Sequence, residues 1–144
     1  MDYILECVRL APSAVNKQPW KWLIVRSDEA KQKLQQCYDR EWFRSASMYI
    51  VGMRNVEENW VRRYDGKAHG DIDVAIATEH LCLAATERGL GTCWVCNYNT
   101  DKMKQLFSRP GFEVVVIIPI GHIAEDCPYA AKKRKDMSEI VEEI

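Results

Sequence analysis

Tyr3, Ile4, Cys7, Val8, Leu10 and Ala11 recur at the spacing of one helix face, so residues 2 to 11 read as an amphipathic helix that Pro12 stops. After a polar loop, residues 22 to 25 (WLIV) predict a short buried strand. Ser27 caps a helix running to about residue 38, with Asp28 and Glu29 in its first turn to match the helix dipole. Residues 48 to 51 (MYIV) form the next strand, and the polar, aromatic stretch from 55 to 70 reads as loop. The longest pattern follows. Ile72, Val74, Ala75, Ile76, Ala77, Leu81, Cys82, Leu83, Ala84 and Ala85 describe a helix that is apolar nearly all round, ended by Gly89 and Gly91. Residues 92 to 96 (TCWVC) predict a strand, Thr100 caps a short helix to residue 107, and residues 113 to 122 (EVVVIIPIGH) read as a strand buried on both faces. The stretch from 124 to 135 is irregular and basic, and residues 136 to 144 form a modest terminal helix.

This order predicts one layered α/β domain over residues 1 to 144. A chain of that length buries about 70% of its unfolded surface, enough for one core. The net charge of −1 argues against a nucleic-acid binder driven by counterion release. No apolar run approaches the roughly 18 residues of a membrane span, and MDYILECV carries no basic leader, so the expected location is the cytoplasm. The six cysteines fall mostly in apolar periodic segments, where a free thiol acts as a small hydrophobe and not as part of a disulfide framework. A helix apolar on every side has too little chain around it here. An obligate homodimer with that helix at the seam would supply the cover, and Asp at Ala77 should then prevent assembly and with it folding, because obligate dimers often lack a folded monomer.

Several local patterns have ordinary readings. Ser13, Asn16 and Gln18 suit a turn for their local hydrogen bonds. Cys93 and Cys96 form a C-x-x-C, but on a predicted strand residues three apart face opposite sides, which argues against a redox pair; no second half of a zinc site follows. His69, His80 and His122 are scattered singly, Gly89-Leu90-Gly91 ends a helix instead of opening one, and KKRK at 132 to 135 reads as a solvated charge run.

Taken together, four segments in order are more specific. APSAVNKQPWKWLIV, DIDVAIATEHLCLAATERGLGTCWV, VVVIIPIGH and KKRKDMSEIV resemble, in turn, the flavin-side loop, the central helix with its following strand, the last sheet strand and the C-terminal phosphate-binding segment of the nitroreductase family. The resemblance implies an α+β fold with a mostly antiparallel central sheet, a buried dimer helix and an extended C-terminal arm. It implies a homodimer with FMN at the interface, NAD(P)H as electron donor and a small nitro or quinone-like acceptor, served in ping-pong order by hydride transfer through flavin N5. Pro12, Ser13 and Ala14 would contact the partner subunit's flavin, with Asn16 and Gln18 as further polar contacts. Trp94, Val95, Cys96 and Asn97 would run along the ring, the Asn97 N–H towards N5, and Lys132 and Arg134 would hold the phosphate. No residue is assigned as a catalytic acid or base, because the hydride chemistry belongs to the cofactor. The family's R-[ST]-x-R-like segment would precede the first helix, and the sequence begins at Met1-Asp2-Tyr3 inside that helix. The alternative expectation is therefore a truncated or degenerate member, a flavin-poor dimer that is structural or binds a small molecule. A thiol oxidoreductase using Cys93 and Cys96 ranks last.

Overall fold

A computed structural model describes residues 1–128 and 130–144; Tyr129, inside the stretch expected to be irregular, lies outside the described residues. The elements run α1 (Asp2–Arg9), β1 (Trp20–Val25), α2 (Asp28–Gln35), α3 (Glu41–Arg44), β2 (Met48–Asn55), α4 (Gly70–Glu87), β3 (Leu90–Thr92), α5 (Thr100–Phe107), β4 (Phe112–His122) and α6 (Met137–Ile140). The four strands form one antiparallel sheet in the order β1-β2-β4-β3. The fold is α+β, as expected.

Strand periodicity divides the core into two layers. Ile50, Val116, Ile118 and Ile120 point to one face, where they meet Ile4 and Val8 of α1 and Val74, Ala77, Leu81 and Ala85 of α4. Tyr49, Val51 and Ile117 point to the other, against Leu34 of α2, Phe43 of α3 and Met103 and Phe107 of α5. Covered on both faces, the middle of β4 shows no polar alternation. Helix α4 lies close to the sheet at Gly52. A Cβ there would stand 2.7 Å from the Trp22 ring and 3.1 Å from a Val74 methyl group.

Some boundaries differ from expectation for identifiable reasons. The α5 cap is Asn99, whose side chain accepts the Lys102 N–H at 2.9 Å, and Thr100 is the first helical residue. Ser27 does cap α2, accepting the Ala30 N–H. The terminal helix shortens to four exposed residues with no apolar surface to pack on. The largest change is at residues 92 to 96. Strand β3 ends at Thr92, opposite Ile120, and pairing resumes only as an isolated bridge between Val95 and Ile117. Ile117 and Val95 exchange both backbone hydrogen bonds at 3.0 Å, so the β3-facing donors of β4 are at 117 and, two residues on, at 119. Position 119 is proline and has no N–H. The ladder therefore opens opposite Cys93 and Trp94.

Candidate functional site

The segment between α1 and β1 is tightly wound. Leu10 ends α1, Ser13 is extended, and Ala14–Asn16 form a single 3₁₀ turn. Val15, Asn16 and Gln18 have φ of 46°, 57° and 50°, the left-handed region. Asn tolerates that region; for a β-branched Val it is a true outlier. Such residues cost on the order of 1–3 kcal/mol each and persist only where the surroundings over-determine them. Here the surroundings do. Ser13 Oγ accepts the Gln18 N–H at 2.8 Å and Ser13 O accepts the Asn16 N–H at 3.0 Å. Gln18 Nε2 donates to Asn16 Oδ1 at 3.2 Å. The Ala14 N–H reaches across to Asp73 Oδ1 on α4, also at 2.8 Å. At the exit, Pro19 is buried and its carbonyl accepts the Asn55 N–H at 2.8 Å. Pro12, Asn16 and Gln18 remain exposed on this frame, and Ser13 and Ala14 partly so.

The second segment follows the opening at Pro119. Trp94, Cys96 and Asn97 are exposed. Val95 is different: its side chain is buried on the α5 side of the sheet, and its N–H and C=O are both engaged by Ile117. The structure gives that residue to the core. Asn97 N–H has no partner among the described residues, which leaves a backbone donor open beside the strand end. Burial of the sulfur pushes the Cys93 and Cys96 thiols up, so neither is poised as a thiolate. That is the physical case against a redox C-x-x-C; the strand argument does not apply, because Cys93 and Cys96 lie outside β3 and both are exposed. Cys37 and Cys82 are buried thiols, as expected, while Cys93, Cys96 and Cys127 are surface residues.

The third segment is the extended chain after β4. Lys132 and Arg134 are exposed, and the only side-chain bond of Arg134 among the described residues is to the neighbouring Lys133 carbonyl at 3.3 Å. The fold brings the start of the chain after β4 to this strand end, where Ala124 and Cys127 line a cavity with Thr92 and Cys93. It does not bring residues 12–18 there: among the described residues no hydrogen bond or ion pair joins the two. They attach at different heights on α4, the loop through Asp73 in its first turn and the strand end through β3, which follows Glu87 at the C-terminus of the helix. Fourteen residues separate Asp73 from Glu87, about 21 Å along the helix axis.

As a donor set, these groups fit FMN. Asn16 and Gln18 offer exposed amide groups, the Asn97 N–H has no partner among the described residues, and the exposed Lys132 and Arg134, in no ion pair among the described residues, suit a phosphate. One important residue was not anticipated. Asp73 lies on the buried stripe of α4 with Ala77, Leu81 and Ala84. The signal was present: a lone carboxylate at a core position requires a partner.

A family model described as the nitroreductase family matches residues 1–38 and 35–122, which takes in the loop and the strand end but not Lys132 or Arg134. A solved nitroreductase family protein from Clostridium difficile 630 superposes with a TM-score of 0.89 at 30% identity, covering 98% of this chain and 83% of the other. A protein from Exiguobacterium sibiricum 255-15, described as a nitroreductase in complex with FMN, gives a TM-score of 0.82 at 22% identity over 100% of this chain and 85% of that one. Among curated relatives, iodotyrosine deiodinase 1 of Mus musculus is 22% identical over 171 aligned positions, covering 98% of this chain and 60% of the relative. A Methanothermobacter thermautotrophicus protein with the name NADH dehydrogenase/NAD(P)H nitroreductase is 27% identical over 88% of this chain and 66% of its own length. The chain thus spans about three-fifths to two-thirds of the length of these curated relatives. With the family model covering the sheet, the central helix and two of the three site segments, the chain belongs to the nitroreductase family.

Proposed function

We propose that the protein is an FMN-dependent NAD(P)H oxidoreductase that works as a homodimer and passes electrons to a nitro or quinone-like small molecule. Support for the cofactor and donor comes from the FMN-bound neighbour and from the name of the Methanothermobacter relative. The observation that carries the reading is the loop at 12–18, a strained backbone held rigid with polar groups exposed. Strain of this kind is retained where a ligand is oriented.

Bound FMN would supply hydride acceptance and delivery. The chain's own residues bind and orient. In this reading Pro12, Ser13 and Ala14 present the loop to the partner subunit's flavin, with Asn16 and Gln18 beside them. The Asn97 N–H donates to the hydride-accepting edge, and Lys132 and Arg134 neutralise the phosphate. In this reading a second copy completes the site, because the loop lies by the first turn of α4 and the strand end follows its C-terminus. The exposed Ile72 and Leu83 on that helix are the seam of the pair.

Purified protein incubated with FMN and desalted should keep the visible absorption of bound flavin, and NADH or NADPH should bleach it. Asn97→Pro removes an N–H that bonds no other described residue, so it should slow bleaching while folding is kept. Arg134→Ala should weaken FMN binding by tenfold or more, since a charge-assisted bond contributes about 1.5–3 kcal/mol. That binding should also weaken with salt, because exposed charges are screened within about 8–10 Å. A protein that retains no flavin is instead the flavin-poor dimer. Tight, salt-insensitive binding that survives Arg134→Ala moves the phosphate away from the C-terminal segment.

A further inference from the structure

A carboxylate in the core needs a reason to be there. Asp73 is 2% exposed on a helix otherwise packed with Val74, Ala77 and Leu81. Its Oδ1 accepts the Ala14 N–H at 2.8 Å, while its Oδ2 is buried with no partner among the described residues. Replacing both partners of a buried polar contact by apolar groups of the same shape can be nearly neutral for stability, whereas an orphaned oxygen such as Asp73 Oδ2 carries a desolvation cost. The carboxylate is therefore not explained by the stability of α4 alone. What it touches is informative. Ala14 sits between Ser13, whose carbonyl and hydroxyl hold Asn16 and Gln18, and Val15, the most unfavourable backbone in the loop. The remaining side-chain bonds within the loop are local, between residues two and five apart; the Asp73 bond spans 59 residues and is the one that ties the loop's interior to the body of the protein.

We propose that Asp73 is a positioning residue for the cofactor site: its carboxylate holds residues 13–18 in their left-handed, ligand-ready shape before any ligand arrives. The inference rests on the reading of this loop as a flavin contact. Its physical content is preorganisation. If the competent shape falls from nearly all of the population to about a tenth of it, apparent affinity falls about tenfold with every ligand contact unchanged.

The bond can be removed from either end. Asp73→Ala deletes the acceptor. Ala14→Pro deletes the donor, and the backbone accommodates it: Ser13 is extended at φ −141°, ψ 162°, as a residue before proline should be, and Ala14 opens a helical turn. Asp73→Asn keeps an acceptor. Full-length protein is followed by amide hydrogen exchange without FMN, by FMN titration and by thermal unfolding. Asp73→Ala and Ala14→Pro should each speed exchange of the Asn16 and Gln18 amides and weaken FMN binding, both by about tenfold, while cooperative unfolding is kept. Asp73→Asn should stay within about threefold of the parent. The double variant should be no worse than either single one, because both remove the same bond. Unchanged exchange in both single variants, or fully additive effects, overturns the proposal. If Asp73→Ala does not fold, Ala14→Pro and Asp73→Asn still decide it by the same readouts. If the parent protein binds no FMN, the flavin reading fails, and the exchange measurement still tests whether Asp73 holds the loop.

Discussion

The two faces of α4 are almost equally apolar in sequence and meet different fates. Val74, Ala77, Leu81 and Ala85 are fully buried against the chain's own sheet. Ile72 and Leu83, on the opposite face with Ile76, are 41% and 62% exposed. Positions 72, 76, 83 and 87 follow one helical stripe, bordered by Tyr3 and Cys7 of α1. The difference shows that an all-round apolar pattern does not imply a helix enclosed by its own chain. One face serves folding; the other stays exposed on the single chain and is the face assigned to the proposed dimer seam.

The largest expected effect separates these roles at Ala77. The sequence alone expected Asp there to prevent assembly and with it folding; the residue is fully buried inside its own subunit, so the fold is lost before any pairing. Ala77→Asp would place an uncompensated charge in the core, a change of the class that costs more than about 4 kcal/mol. Circular dichroism and thermal melting should show loss of the fold itself. Folded Ala77→Asp monomers would contradict this assignment of the inner face.

Leu83→Asp should act on the outer face alone. The chain should keep its far-ultraviolet spectrum and a cooperative melt, while sedimentation of the proposed dimer should show its dissociation constant raised about a hundredfold, close to 2.7 kcal/mol. A wild-type chain that sediments as a stable monomer at micromolar concentration would remove the seam altogether.

The smallest effect lies at the rim of the same face. Tyr3 donates its phenol to Glu87 at the end of α4, and that bond, with burial and the nearby carboxylate charge, pushes its pKa up from 10 to about 12. A raised acid pKa means that the folded state holds the proton more tightly. Any stabilisation is therefore complete below pH 10 and is lost as pH rises towards 12. Burial pushes Tyr98 to a similar value. Burial also raises the fully buried Tyr49, so ultraviolet titration of phenolate should show three late tyrosines in the parent and two in Tyr3→Phe. No change in the late phase would mean that the Tyr3–Glu87 bond does not form in solution.

The sequence by itself determined the order of elements, because strand and helix periods record which side of each segment meets the core. It marked the loop at 12–18, since Pro12, Ser13, Asn16 and Pro19 limit the backbone whatever surrounds them. The family-like segments were legible for the same local reason. Tertiary structure decided the rest. Pro119 interrupts β3 only because residues 90–95 happen to lie along its donor-less side, which no local pattern in TCWVC records. Val95 looks like its neighbours in sequence and becomes core because Ile117 takes both of its backbone groups. Asp73 reads as one polar residue in an apolar run until the fold places Ala14 2.8 Å away. Periodicity reports how much of a residue's surroundings is apolar. Which single group stands opposite it is a matter of long-range packing, and that is where the hydrogen bonds of this site are made.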